Sequence, residues 1–330
     1  MCKTLLNIIN RCRIPRYLHP KSNHVYSVWI HLILLTIRQY ESKSYKRFTE
    51  FLEECAGIQE YLGLSTIPHY TTLQKAAARL HGNLLHKMLQ EFILYKKVRL
   101  VLAGIDGSGF SCTTASYYYT KRIQLRREFL KVVVCSDMNT QLICTAMLHH
   151  DMQQHDNPDF LPLLYKTNKI VPVDIVLGDM GFDDENNHIG AEQINTVAII
   201  PTRYVDVPIY RTSGIHRKEM KRNFPKQLYS QRNKSETIFF VVKQIMSGDI
   251  SSRNEITQDN EMLLRLIAYN AYRIRKLEFV ILLWFLQGQL SLIYQRYWLV
   301  CTDISYSSQV SVIHPSYQLF ITVTSDLSQV

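Results

Sequence analysis

Three acidic residues stand where a folded chain can present a metal ligand. Asp106 follows an apolar, β-branched run, residues 98–105 (VRLVLAGI), and precedes Gly107-Ser108-Gly109. Glycines at that place let a ligand approach the backbone, although a self-capping aspartate in a strand-end turn would read the same way. Asp179 follows a second such run, residues 173–177 (VDIVL), in a turn that also carries Asp183, Asp184 and Glu185. One of these four is a candidate ligand, and Asp183 or Asp184 is a candidate cap for a helix from Glu185 to Gln193. Glu236 is the third acid. On a 3.6-residue repeat Tyr229, Arg232, Glu236 and Lys243 share one side of a helix, with Ile238, Phe239 and Val242 on the other. Between Arg203 and Lys243 ten Lys or Arg stand against three acids, Asp206, Glu219 and Glu236. Glu236 is thus an isolated carboxylate in a cationic field, though a surface helix with one i, i+4 pair from Arg232 to Glu236 has the same pattern. Three convergent carboxylates can hold two divalent ions about 4 Å apart, one activating a water or 3′-hydroxyl and the other stabilising the leaving oxygen of a phosphodiester. Mg²⁺ or Mn²⁺ suits such an all-oxygen set.

The elements that must position these acids alternate in a readable order. Residues 98–105, 129–135 and 142–148 read as strands, the last two joined by a turn near Asp137–Thr140. A helix from Pro158 to about Asn168 follows, with Asn157 or Asp156 as its cap. Then come a strand at 173–177, the helix from Glu185, a strand at 196–200, the Glu236 helix, and a helix from Glu261 to Lys276. In a mixed sheet of that order the first and fourth strands are neighbours, so Asp106 and Asp179 meet and a packed helix can add Glu236. His149, His150, Asp151, His155 and Asp156 lack a second ligand pair at zinc spacing and do not read as a zinc site.

Ahead of the sheet, residues 1–24 are basic and irregular, and residues 25–96 are helical. A buried helix spans Val28–Tyr40, an amphipathic one Ser44–Cys55, and a third, capped by Thr71 or Thr72, runs on past Met88. This is the pattern of a helix-turn-helix region in which Lys75 and Arg79 would face DNA, and equally of a plain helical bundle. Tyr117–Tyr119 beside Lys121, Arg122 and Arg126 interleave aromatics with cations, which suits base stacking and phosphate neutralisation or merely a solvated basic loop.

A net charge of +10 on 330 residues favours a polyanionic partner, and the clustering of the basic residues between apolar runs favours nucleic acid over a membrane. Seven scattered cysteines without a C-x-x-C pair point to a reducing compartment. Arg11 and Arg13 interrupt the N-terminal apolar run too early for a signal peptide.

Together these residues resemble the DDE transposases of bacterial and archaeal insertion sequences. GIDGSGF carries Asp106, GDMGFDDEN carries Asp179, and Tyr229, Arg232, Glu236 and Lys243 keep the spacing of the family's Tyr-x2-Arg-x3-Glu-x6-Lys motif. PHYTTLQKAAARL is similar to the family's helix-turn-helix region, and LLRLIAYNAYRI to the helix after the catalytic glutamate. Phe182 departs from the tyrosine common there, a change of small expected effect because a packed ring survives loss of an unbonded hydroxyl. The resemblance implies an RNase H-like α/β domain at 97–276, a mixed sheet flanked by helices and preceded by the all-α region. It implies metal-dependent cleavage and strand transfer at terminal inverted repeats. Asp106, Asp179 and Glu236 would hold two Mg²⁺ or Mn²⁺ ions, while Tyr229, Arg232 and Lys243 would contact phosphates. The partners would be transposon-end and target DNA, bound by a homodimer associated with the nucleoid in the cytoplasm, with no membrane and no small-molecule cofactor. A copy reduced to a catalytically inactive or repurposed DNA-binding protein is the alternative.

From Leu277 to Val330 only Glu278, Arg296, Asp303 and Asp326 are charged and lysine is absent. The apolar run there is broken by Gln287-Gly288-Gln289, against a membrane helix. A tail of this kind, beginning where the family pattern ends, is what a frameshift or read-through would leave.

Overall fold

The computed structural model describes residues 1–17, 21, 24–112, 129–150 and 155–302, with the backbone alone for 280–302. Lys121, Arg122 and Arg126 lie outside the described residues. Met1–Glu278 form one compact unit and Phe279–Val330 another. Within the first unit the helical segment and the sheet share a single apolar core.

The sheet is built from β1 (Leu100–Ser111), β2 (Phe129–Asp137), β3 (Ile143–His149), β4 (Val173–Leu177) and β5 (Val197–Ile199) in the order β3-β2-β1-β4-β5. The first three strands are antiparallel neighbours, and β4 and β5 run parallel to β1. Parallel neighbours need crossovers, and α7 (Phe160–Asn168) and α8 (Glu185–Glu192) supply them. This is the mixed, helix-flanked sheet of the RNase H-like type that the sequence leads one to expect.

One correction concerns Asp106 itself. It does not end its strand: β1 continues through Gly107-Ser108-Gly109 to Ser111, because β2 pairs with it all the way, Asp106 opposite Val134 and Gly109 opposite Lys131. The glycines that looked like a turn are strand residues with an open face.

The helical segment comprises α1 (Cys2–Arg11), α2 (Val28–Tyr40), α3 (Tyr45–Glu54), α4 (Ala56–Leu62), α5 (Tyr70–Arg79) and α6 (Gly82–Tyr95). Residues 1–24 are therefore not irregular throughout, since α1 buries Leu5, Ile8 and Ile9. The side chains of Ser27 and Ser44 cap α2 and α3 by accepting the backbone N–H of Ile30 and Arg47. The helix expected to be capped by Thr71 or Thr72 starts slightly earlier, at Tyr70, and is capped by His69, whose ring accepts the Thr71 N–H. It also ends at Arg79, where Leu80 turns to an extended backbone, so the expected long helix is two. Lys75 and Arg79 are exposed on α5, which packs against α2 and α3.

Three further helices follow β5: α9 (Ile215–Arg222), α10 (Lys226–Tyr229) and α11 (Asn233–Met246). The last helix, α12 (Glu255–Thr302), starts in the first unit, and Gln287-Gly288-Gln289 do not break it. Among the described residues no helix is long and apolar enough to cross a membrane. In the first unit α12 links the two regions. Asn260 donates to the carbonyls of Ala77 and Leu80 at the end of α5, and Asn270 pairs with both backbone groups of Ile143 on β3.

Two local features hold the site's supports. Gly104 lies on β1 where α11 crosses it, and a Cβ there would stand 2.8 Å from Ser235 Oγ and 2.7 Å from Met138 Cε. Gly104→Val should therefore push α11 off the sheet and lower stability by about 1–3 kcal/mol, read from the denaturant midpoint. Gly104→Ala should cost less than Gly104→Val, because the Met138 tip and the Ser235 hydroxyl that its Cβ meets can turn aside. The second feature is Asp183, whose side chain is fully buried and accepts from Arg217 Nε and Nη2, each at 2.7 Å, and from the Arg203 N–H. It is Asp184 that caps α8, through the Asn186 N–H. Burial alone would raise the Asp183 pKa, but Arg217 and the Arg203 N–H outweigh it and hold the carboxyl below its usual value. Because the unfolded chain takes up this proton more readily, the pair's stabilisation is present above the ordinary carboxylate value near pH 4 and is lost as pH falls through the lower folded value. Asp183→Asn should cost about 3 kcal/mol at pH 7 and flatten the dependence of stability on pH below about pH 4, as thermal unfolding across pH 2.5–7 would show.

Candidate active site

The parallel register puts the two aspartates side by side. Gly104 of β1 is level with Leu177, the last residue of β4. Two residues further along each segment are Asp106, still in β1, and Asp179, in the turn just past β4, so the two side chains emerge at about one height. Asp179 is fixed by its own turn, accepting the Gly181 N–H at 2.7 Å. A Cβ on Gly181 would lie 2.8 Å from that same oxygen, so any other residue there would push the Asp179 carboxylate aside. Phe182 then packs its ring on Phe160, centroids 5.3 Å apart, as a buried anchor for the turn.

Glu236 comes from α11, which is seated by Ile238, Phe239, Val242 and the buried Ser235. Ser235 lies against Gly104, two residues before Asp106, so the helix touches the sheet beside the carboxylates. Phe239 and Val242 face the core as their spacing requires, whereas Glu236 and Phe240 face outward.

Arg232 gathers the three acids. Its Nη1 is 2.9 Å from a Glu236 carboxylate oxygen, and its Nη2 is 3.4 Å from Asp106 Oδ1 and 3.7 Å from Asp179 Oδ2. Asp106 is buried, and burial raises its carboxyl to about pKa 6; Arg232 and the Gly107 N–H oppose that rise while Asp179 and Glu236 add to it. The electrostatic demand at this point is for positive charge. Among the described residues no three metal-capable side chains are gathered tightly enough to close on an ion as they stand. The donor set nevertheless fits a hard cation, because all three acids offer oxygen and already converge on a single cationic group. Glu185 and Glu219, the other glutamates near these acids in the chain, are engaged elsewhere. Glu185 accepts the backbone N–H of Ile215, His216 and Arg217, and Glu219 accepts from Asn223.

The remaining motif residues lie around the acids. Tyr229 is half-buried, its ring edge-on to Phe224 at 4.9 Å within a small cluster formed by Leu102, Met138, Leu177 and Ile199. Lys243 places its Nζ over the Phe110 ring, 5.1 Å from the centroid. Asp106, Gly107, Ser108, Arg232, Glu236, Phe239, Phe240 and Lys243 line one groove, and Asp179 and Tyr229 are not part of that lining. Lys75 and Arg79 belong to the helical segment and do not line it. His149 and His150 pair with Asp159 and Asp259. Phe240 and the seat of α11 on Gly104 escaped the sequence reading, although the small residues Gly104 and Ser235 beside the acids were a signal for the second.

A family model described as the transposase DDE domain matches residues 101–271, more than half of the chain. No curated protein matches. Three solved structures show looser likeness. A piggyBac transposase synaptic complex with hairpin DNA superposes with a TM-score of 0.46 at 9% identity, over 81% of this chain and 70% of that one. A Mos1 transposase paired-end complex with the left transposon end gives 0.24 at 12% identity, over 81% and 87%. A Mos1 mariner paired-end complex with Mn gives 0.23 at 11% identity over the same shares. On the family match, which contains Asp106, Asp179 and Glu236, the chain belongs to the DDE transposases.

Proposed function

We propose that this transposase cleaves and joins DNA strands at the terminal inverted repeats of an insertion sequence, with Asp106, Asp179 and Glu236 as its catalytic carboxylates. The observation that carries this reading is the convergence of those three side chains, from β1, the turn after its parallel neighbour β4, and one helix, on the single guanidinium of Arg232. Two Mg²⁺ or Mn²⁺ ions held there would activate the attacking water or 3′-hydroxyl and stabilise the leaving oxygen.

The chain's own residues account for the rest. Asp106 is held in a strand and Asp179 by its Gly181 turn, so closing the set on an ion falls mainly to Glu236 and to withdrawal of the Arg232 guanidinium. Glu236 is the exposed member of the three and closes the set from the helix side. Arg232 and Lys243 flank the acids with positive charge, which matches the phosphates on either side of the reacting one. Tyr229 supports this end of the site through its packed ring. Lys75 and Arg79, exposed on α5, would contact longer DNA, and Lys121, Arg122 and Arg126 are assigned to DNA from the sequence alone. The excess of ten cations in the chain's net charge supports a nucleic-acid partner, and we assign the active form to a homodimer on paired ends, acting at the nucleoid.

The test uses a labelled duplex carrying the DNA that flanks the gene. The protein should nick it with Mg²⁺ or Mn²⁺, and Glu236→Gln should lower the rate on the order of 10³-fold or more with binding nearly intact. Normal cleavage by Glu236→Gln would remove Glu236 from the site, and wild-type protein that binds without cleaving would favour the inactive, DNA-binding alternative.

A further inference from the structure

Arg217 and Arg265 show how this fold holds a structural arginine. Arg217 forks onto Asp183 with two bonds of 2.7 Å, and Arg265 meets Glu261 at 2.6 Å while donating to the carbonyls of Ser247 and Asp249. Arg232 is held differently, one guanidinium spread over three acids. A well-formed charge-assisted bond spans about 2.7–2.9 Å. Only the bond to Glu236, at 2.9 Å, is that short, and the approaches to Asp106 and Asp179 are 3.4 and 3.7 Å. Among the described residues the buried Arg232 Nε finds no hydrogen-bond partner. Arg232 answers a deficit of positive charge with one good bond.

The place it takes is the one that a hard cation would need. The three carboxylates converge where the guanidinium lies, and two positive groups cannot share that point without repelling each other. An ion held by all three acids therefore requires the guanidinium to leave. Arg232 also lines the groove with Ser108 and Lys243, so rotation about its own side-chain bonds carries it from the acids toward that surface. A DNA phosphate in the groove offers what the acids do not, two oxygens on one centre for a paired fork of bonds.

We propose that Arg232 is a displaceable internal counter-ion: it neutralises the three carboxylates until a DNA phosphate takes its guanidinium, and so couples cation uptake to DNA binding. Such coupling is reciprocal, so cation and DNA tighten one another by the same factor. The inference rests on the reading of the three acids as the cation site for strand cleavage.

The test follows Mn²⁺ uptake by the full chain through the free-ion electron paramagnetic resonance signal. It is run with and without a saturating duplex carrying the DNA that flanks the gene, the duplex's own uptake being subtracted. Without DNA, Arg232→Gln should bind Mn²⁺ on the order of tenfold more tightly than wild type. Lys243→Gln removes a groove charge that lies over Phe110 and not on the acids, and should bind Mn²⁺ as wild type does. The duplex should tighten uptake by wild type on the order of tenfold and by Arg232→Gln much less. Uptake by Arg232→Gln no tighter than that of wild type, or an equal gain in Lys243→Gln, would overturn the proposal. Wild-type uptake that ignores the duplex overturns it without any variant. Cleavage of the same duplex by wild type is measured in parallel. Wild-type cleavage with unchanged uptake by Arg232→Gln sinks the counter-ion exchange alone. The expected uptake pattern in a protein that never cleaves leaves the exchange standing and sinks the transposition reading.

Discussion

Three carboxylates cannot all stay ionised in a small, partly buried space unless a cation shares it with them. That constraint governs the central part of this molecule. Burial raises the Asp106 carboxyl, and each neighbouring acid raises it further. Arg232 answers with contacts to all three, and its own pKa rises because Asp106, Asp179 and Glu236 offset the penalty of burying it. An arrangement so short of positive charge suits the handling of cations and phosphates, which is the chemistry of the family to which the chain belongs.

The fold serves that constraint by register and close approach. Parallel pairing of β1 with β4 levels Asp106 with Asp179, and the absence of a side chain at Gly104 lets Ser235 bring α11 against the sheet. The Asp183–Arg217 pair lies four residues beyond Asp179 and ties the start of α8 to α9, so the turn carrying the second acid is anchored from both sides. The acids are held by rigid elements, and the basic insertion between β5 and α11 is tied to them by buried polar contacts.

Much of this was legible in the chain, for identifiable reasons. Continuous apolar runs gave α2 and β4 their bounds, and alternating strands and helices gave the sheet its order. Glu236 stood out because it is alone among cations. What was not legible depended on partners distant in sequence. The glycines after Asp106 looked like a turn because the residues that pair with them, Val133 and Lys131, lie far along the chain. The Thr71 and Thr72 cap lost to His69 because a ring nitrogen can do the same task, and Leu80 broke the helix where Asn260, far along the chain, takes the freed carbonyls. Arg232 read as one half of an i, i+4 pair; its two aspartates come from the other side of the fold. Phe240 was hidden by its neighbour, since periodicity assigns Phe239 to the core and is silent about an exposed ring beside it.

The central claim is that Asp106, Asp179 and Glu236 form a single cation site. It is tested most directly by titrating Mn²⁺ into the full chain and following the free-ion electron paramagnetic resonance signal. The account predicts uptake by the wild type and marked loss of uptake by Asp106→Asn, with the far-ultraviolet circular dichroism of both unchanged. Equal uptake by the two proteins would contradict it.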